Sequence, residues 1–129
     1  MNVPESYADL LLRPLFAHLA TVRPDGAPLV NPMWFVWDEA QGLIKLTHTK
    51  RRSNYRFFQS EPRVALAISD PDDPYRYLQV RGVVKAIEDD PTGAFFQVLQ
   101  LRYRGKVGEV SDRAFRVIVT IRPTGFRVY

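Results

Sequence analysis

The chain has 129 residues, 46% hydrophobic and 25% charged, with a formal net charge of +4. That suits one soluble globular domain, and no apolar run of about 18 residues offers a membrane span. The lack of cysteine excludes disulfides, thiol nucleophiles and cysteine-ligated metals, and two histidines, His18 and His48, are too few for a polyhistidine metal site.

The opening Met-Asn-Val-Pro-Glu-Ser lacks the basic-then-apolar order of a signal peptide, so the cytoplasm is the expected compartment. Residues 6–12 read as a short helix stopped by Pro14. Residues 16–23 are strand-like, and Pro24-Asp25-Gly26 is a turn signal. Residues 29–37 continue as a second strand and close a hairpin. After a turn at 38–42, residues 43–49 form a third strand, so the three are predicted as an antiparallel meander. Residues 53–61 fit a short helix, with Ser53 as N-cap and Pro62 just beyond its end. Residues 64–68 are a short buried strand, 70–74 a proline-rich loop, and 75–87 a long strand bent at Gly82. Residues 92–104 are helical, with Phe95, Phe96, Leu99 and Tyr103 on neighbouring turns. Residues 115–121 are the closing strand. The predicted fold is mainly β, a six-stranded antiparallel barrel, closed or split, with one or two covering helices in a single domain over 1–129.

Three groups of residues bear on function. Pro28, Asn31 and Pro32 lie in one strand, where proline cannot donate to a ladder. Such a strand is either an edge defended against aggregation or a place where unpaired backbone binds the polar edge of a ring. The second group is Thr47-His48-Thr49-Lys50-Arg51-Arg52-Ser53-Asn54, running from a strand end into a helix start. Free N–H groups, hydroxyls and cations there suit a phosphate, and a solvated basic turn is the alternative. No acidic residue falls between Glu39 and Glu61, so the positive charge is one compact spot. That favours a phosphate-bearing small molecule over a nucleic-acid track. The third group is Tyr75, Arg76 and Tyr77, which either line a cleft or pack at a strand start. The acids before them lack the order of a calcium loop. His18 alternates with Phe16 and Ala20 and reads as a packed or half-buried strand residue. His48 is given a binding role. No Ser–His–acid triad or Gly-rich nucleotide loop is present, which suits chemistry carried by a cofactor.

Residues 18–35 (HLATVRPDGAPLVNPMWF) resemble the opening hairpin of the pyridoxamine-phosphate-oxidase-like split-barrel flavoproteins. Residues 54–66 (NYRFFQSEPRVAL) resemble their helix-to-strand junction. Residues 70–82 (DPDDPYRYLQVRG) resemble a segment of the flavin/deazaflavin oxidoreductase B branch, and 116–124 (RVIVTIRPT) its last strand. The resemblance implies a split-barrel homodimer with cofactor sites at the subunit interface. The usual cofactor of that branch is the deazaflavin coenzyme F420, with FMN in relatives. It implies a ring against Pro28, Val30, Asn31, Pro32 and Trp34, and a phosphate near Thr47 to Asn54. Relatives commonly carry Lys at the position of Asn54 and Asn at that of Phe57. The lysine is a phosphate contact, so its charge has to come from Lys50, Arg51 or Arg52. The expectation is an F420-dependent reductase passing a hydride to an enone, quinone or tetrapyrrole. An FMN-binding oxidoreductase and a non-catalytic cofactor-binding protein are the alternatives.

Overall fold

The computed structural model describes residues 2–129. Seven strands are formed: β1 (Ala17–Val22), β2 (Pro28–Met33), β3 (Phe35–Asp38), β4 (Leu43–Thr49), β5 (Arg63–Asp70), β6 (Asp73–Asp89) and β7 (Arg116–Val128). Three short helices accompany them: α1 (Asp9–Leu12), α2 (Ser53–Ser60) and α3 (Ala94–Arg104). The strands make one antiparallel sheet in the order β2-β1-β5-β6-β7-β4-β3.

The two edge strands, β2 and β3, follow each other in sequence with only Trp34 between them. The sheet must therefore curl until its edges meet, which produces a barrel split at Trp34. This corrects the predicted count of six strands and the predicted meander. Residues 29–37 are two strands: β2, before the seam, pairs with β1, and β3, after it, pairs with β4. Met33 and Phe35 are both buried with Trp34 half-buried between them, so the alternation of one strand persists although the pairing changes.

The barrel interior is filled at period two. Leu19 of β1, Ile44 and Leu46 of β4, Leu66 and Ile68 of β5, Leu78 and Val80 of β6, and Val117, Val119 and Ile121 of β7 are buried. Leu10, Leu11 and Phe58, from α1 and α2, join the same cluster. Residues 70–74 do not form a loop. Asp70 pairs with Asp73, leaving Pro71-Asp72 as a two-residue connection between β5 and β6. The Asp70 carboxylate tightens it by accepting the Asp72 N–H (2.9 Å). Arg76 donates to Asp70 and to Asp9, and Arg13 to Asp70 and Asp72, so ion pairs tie α1 to this hairpin. Ser53 is the first residue of α2 and not its cap. Arg52 holds the cap position, and no side chain caps the helix. His18 is exposed rather than packed, because it points away from the side of Ala17 and Leu19.

β6 does bend at Gly82, where its register with β7 shifts. A Cβ there would lie 2.7 Å from Ile121 Cγ2 and 3.0 Å from the Arg122 carbonyl oxygen. Gly82→Ala is expected to destabilise the protein by roughly 1–3 kcal/mol through overpacking. Urea denaturation measures this, and an unchanged midpoint counts against the close approach. Among the described residues no helix is long and apolar enough to cross a membrane.

Candidate functional site

β4 leaves the barrel at Thr49, and Lys50, Arg51 and Arg52 turn the chain into α2. The turn is held by the Lys50 N–H on the Phe115 carbonyl (3.0 Å) and the Arg52 N–H on the Thr49 carbonyl (3.1 Å). Thr49 Oγ1 accepts the Arg51 N–H (3.3 Å). The three cations then part. Lys50 Nζ pairs with Asp89 (2.7 Å), and the Arg51 guanidinium lies 3.6 Å over the Phe115 ring. Arg52 alone of the three faces two adjoining cavities.

These cavities, of about 260 and 210 Å³, share Met33, His48 and Arg52 in their walls. The larger adds Phe16, Pro32, Trp34, Thr47, Phe96, Arg104 and Arg116. The smaller adds Asn31, Ser53 and Asn54. Among the described residues, no carboxylate lines either one.

The walls are held from behind. Trp34 stacks on Tyr103 with centroids 5.0 Å apart and planes 5° apart. The Tyr103 hydroxyl donates to the Leu15 carbonyl (2.6 Å) and accepts the Phe35 N–H (3.0 Å). Arg102 donates to the Phe35 and Arg13 carbonyls. The last turn of α3 thus pins the seam and the segment before β1. Arg116 donates its Nε–H to Asp112 (3.0 Å) and lies 4.1 Å over Phe96. Asn54 donates its amide to Thr21 Oγ1 (3.3 Å) and Asn31 Oδ1 (3.2 Å), so it links α2 to the β1–β2 hairpin.

His48 sits edge-on to Phe58. Burial, and then the charges of Arg52 and Arg116, push its pKa down to about 4, so the ring is neutral at pH 7. Its Nε2 and Thr47 Oγ1 are buried with no hydrogen-bond partner among the described residues. Buried polar atoms are normally satisfied, so two unpaired ones beside free cations point to a ligand that completes them. With the unpaired N–H groups at the start of α2, these residues fit a phosphate, and the aromatic wall fits a planar ring.

The lowered pKa of His48 sets a pH dependence. Between pH 6.5 and 4 the unfolded chain binds this proton and the folded one does not. The stability it contributes is full above pH 6.5 and falls, by about 3 kcal/mol, as the pH drops toward 4. In His48→Gln the urea midpoint should lose that part of its slope between pH 7.5 and 4. Identical slopes in variant and wild type would contradict the assignment.

Of the residues expected from sequence, Asn31, Pro32, Trp34, Thr47, His48, Arg52, Ser53 and Asn54 are brought together. The others are not. Pro28 lines a separate groove with Ala20 and Val22, and Val30 is exposed. Thr49 serves the turn, and Lys50 and Arg51 turn away. Tyr75 stands in solvent, Arg76 is held by Asp9 and Asp70, and Tyr77 stacks on Tyr129 at 4.4 Å. Phe16, Met33, Phe96, Arg104 and Arg116 were not expected. They come from the β1 approach, the seam, α3 and β7, and no local motif joins them.

The family described as Pyridoxamine 5'-phosphate oxidase matches residues 3–128. A solved structure named F420 Reductase is 54% identical with a TM-score of 0.92, covering 97% of this chain and 98% of that one. A conserved hypothetical protein from Mycobacterium tuberculosis is 24% identical with a TM-score of 0.78, covering 100% and 86%. General Stress Protein 26 from Bacillus anthracis is 18% identical with a TM-score of 0.72, covering 96% and 91%. The last two share the fold.

Proposed function

The chain belongs to the pyridoxamine 5'-phosphate oxidase family, and from that premise we propose that it is an oxidoreductase holding coenzyme F420 by its phosphate at the start of α2. The observation that carries this reading is Arg52, among the described residues the one cation of the basic turn without a protein partner, beside the unpaired Thr47 Oγ1 and His48 Nε2. The 54% identical neighbour named F420 Reductase supports F420 over FMN. Arg52, Ser53 and Asn31 would hold the phosphate end. Pro32, Trp34 and Phe96 would receive the ring and keep water from it. When bound, the reduced deazaflavin supplies a hydride to an electron-poor double bond, such as that of an enone, quinone or tetrapyrrole. Neutral His48 offers a hydrogen bond at Nε2 and is not an imidazolium acid at neutral pH.

Titration of the purified protein with F420 and with FMN tests the cofactor. Tight FMN binding without F420 binding replaces it. Tight F420 binding with no turnover across a panel of enones and quinones makes the protein a carrier. The same reading has the protein as a homodimer with the cofactor at the subunit interface. Supporting it is the exposure of Phe16, in the wall of the larger cavity, and of Val30, next to Asn31 of the smaller. Sedimentation at micromolar concentration showing only monomer would contradict the dimer.

A further inference from the structure

We propose that Asn54 is a specificity-determining residue: it keeps the smaller cavity at a single positive charge, which selects a phosphodiester over a phosphomonoester. This rests on the reading that Arg52 holds the cofactor phosphate. Of the residues lining that cavity, Arg52 alone is charged at neutral pH, since His48 is neutral there. Lys50 and Arg51, which precede it in the chain, are held by Asp89 and by the Phe115 ring. Asn54 stands two residues beyond Arg52, half-buried and locked in place. Both hydrogens of its Nδ2 are engaged, one on Thr21 Oγ1 (3.3 Å) and one on Asn31 Oδ1 (3.2 Å). Thr21 is 2% exposed, so this brace is anchored in the barrel wall. Asn54 therefore brings the cavity neither a charge nor a free amide N–H. The start of α2 adds only a partial positive charge.

A phosphodiester carries one negative charge, whereas a phosphomonoester carries nearly two at pH 7. The attraction to one cation grows in proportion to the charge of the ligand, but the cost of taking that charge out of water grows as its square. With one cation in the wall, the second charge of a monoester is left unmatched, and with two it is met. F420 contains a phosphodiester and FMN ends in a monoester, so a wall of this charge favours F420.

Asn54→Lys places a second cation in the wall, and Asn54→Met removes the brace without adding charge. Wild type and both full-length variants are titrated with F420 and with FMN at pH 7.5, and the ratio of the two dissociation constants is read. Any general loss from disturbing the β1–β2 hairpin cancels in that ratio. Wild type should favour F420. Asn54→Lys should shift the ratio about tenfold toward FMN, and Asn54→Met should leave it within about twofold of wild type. Tighter binding of FMN than of F420 by wild type, an unshifted ratio in Asn54→Lys, or an equal shift in Asn54→Met would overturn the proposal. Arg52→Gln distinguishes its failure from that of the anchor. Weakened F420 binding in Arg52→Gln keeps the anchor, so that an unshifted ratio in Asn54→Lys then overturns the charge selection alone. Unchanged F420 affinity in Arg52→Gln removes the anchor and the charge selection with it.

Discussion

Arg52→Glu should weaken cofactor binding by about a hundredfold or more while leaving the fold intact. A charge-assisted hydrogen bond to phosphate is worth roughly 1.5–3 kcal/mol, and reversing the charge adds repulsion to the loss. Neighbours cannot substitute. Lys50 is held at 2.7 Å by Asp89, and Arg51 is stacked on Phe115. Asn54 offers only an amide already shared with Thr21 and Asn31. Arg52 itself is exposed and is not part of the buried core cluster. Fluorescence titration with F420 and FMN reads the affinity, and circular dichroism reads the fold. The companion variant Arg51→Glu should leave affinity within severalfold of wild type. If Arg52→Glu binds normally, the anchor moves to Arg104 or Arg116.

Phe35→Ala should lower stability by about 3–5 kcal/mol, a large share of the 5–15 kcal/mol typical of a domain. Phe35 is fully buried and opens β3 immediately after the seam. Its backbone is held on both sides, the N–H by Tyr103 and the carbonyl by Arg102. The backbone therefore cannot follow the lost side chain inward, and a cavity remains among Leu46 and its neighbours. Urea denaturation measures the loss. A change below about 1 kcal/mol would mean that the core closes over the gap.

Much of the fold was legible where the chain is locally self-sufficient. Residues 43–49 follow a turn at 38–42, are rich in β-favouring residues and are β4, and α3 is bounded by its own apolar turns and by Gly105. The bend at Gly82 was legible because only glycine admits that approach to β7. The seam was not. Nothing in LVNPMWFVW interrupts the strand, and the break arises only because distant strands complete the sheet between β2 and β3. The site divides the same way. Its position at the β4–α2 turn followed from a local run of cations and hydroxyls. Which cation faces the cavity did not, because that depends on Asp89 and Phe115, distant in sequence. Arg104 and Arg116 were hidden for a similar reason, since arginines spread along a chain carry no mark of convergence.

The junction at Trp34 has a mechanical consequence. One residue joins both margins of the sheet, so the separation of the ends of β2 and β3 is limited to the reach of a single residue. The same residue forms a wall of the larger cavity and is clamped from behind by Tyr103. The wall of the cavity and the closure of the barrel therefore share one residue, and a molecule seated against the indole touches the point where the two margins meet.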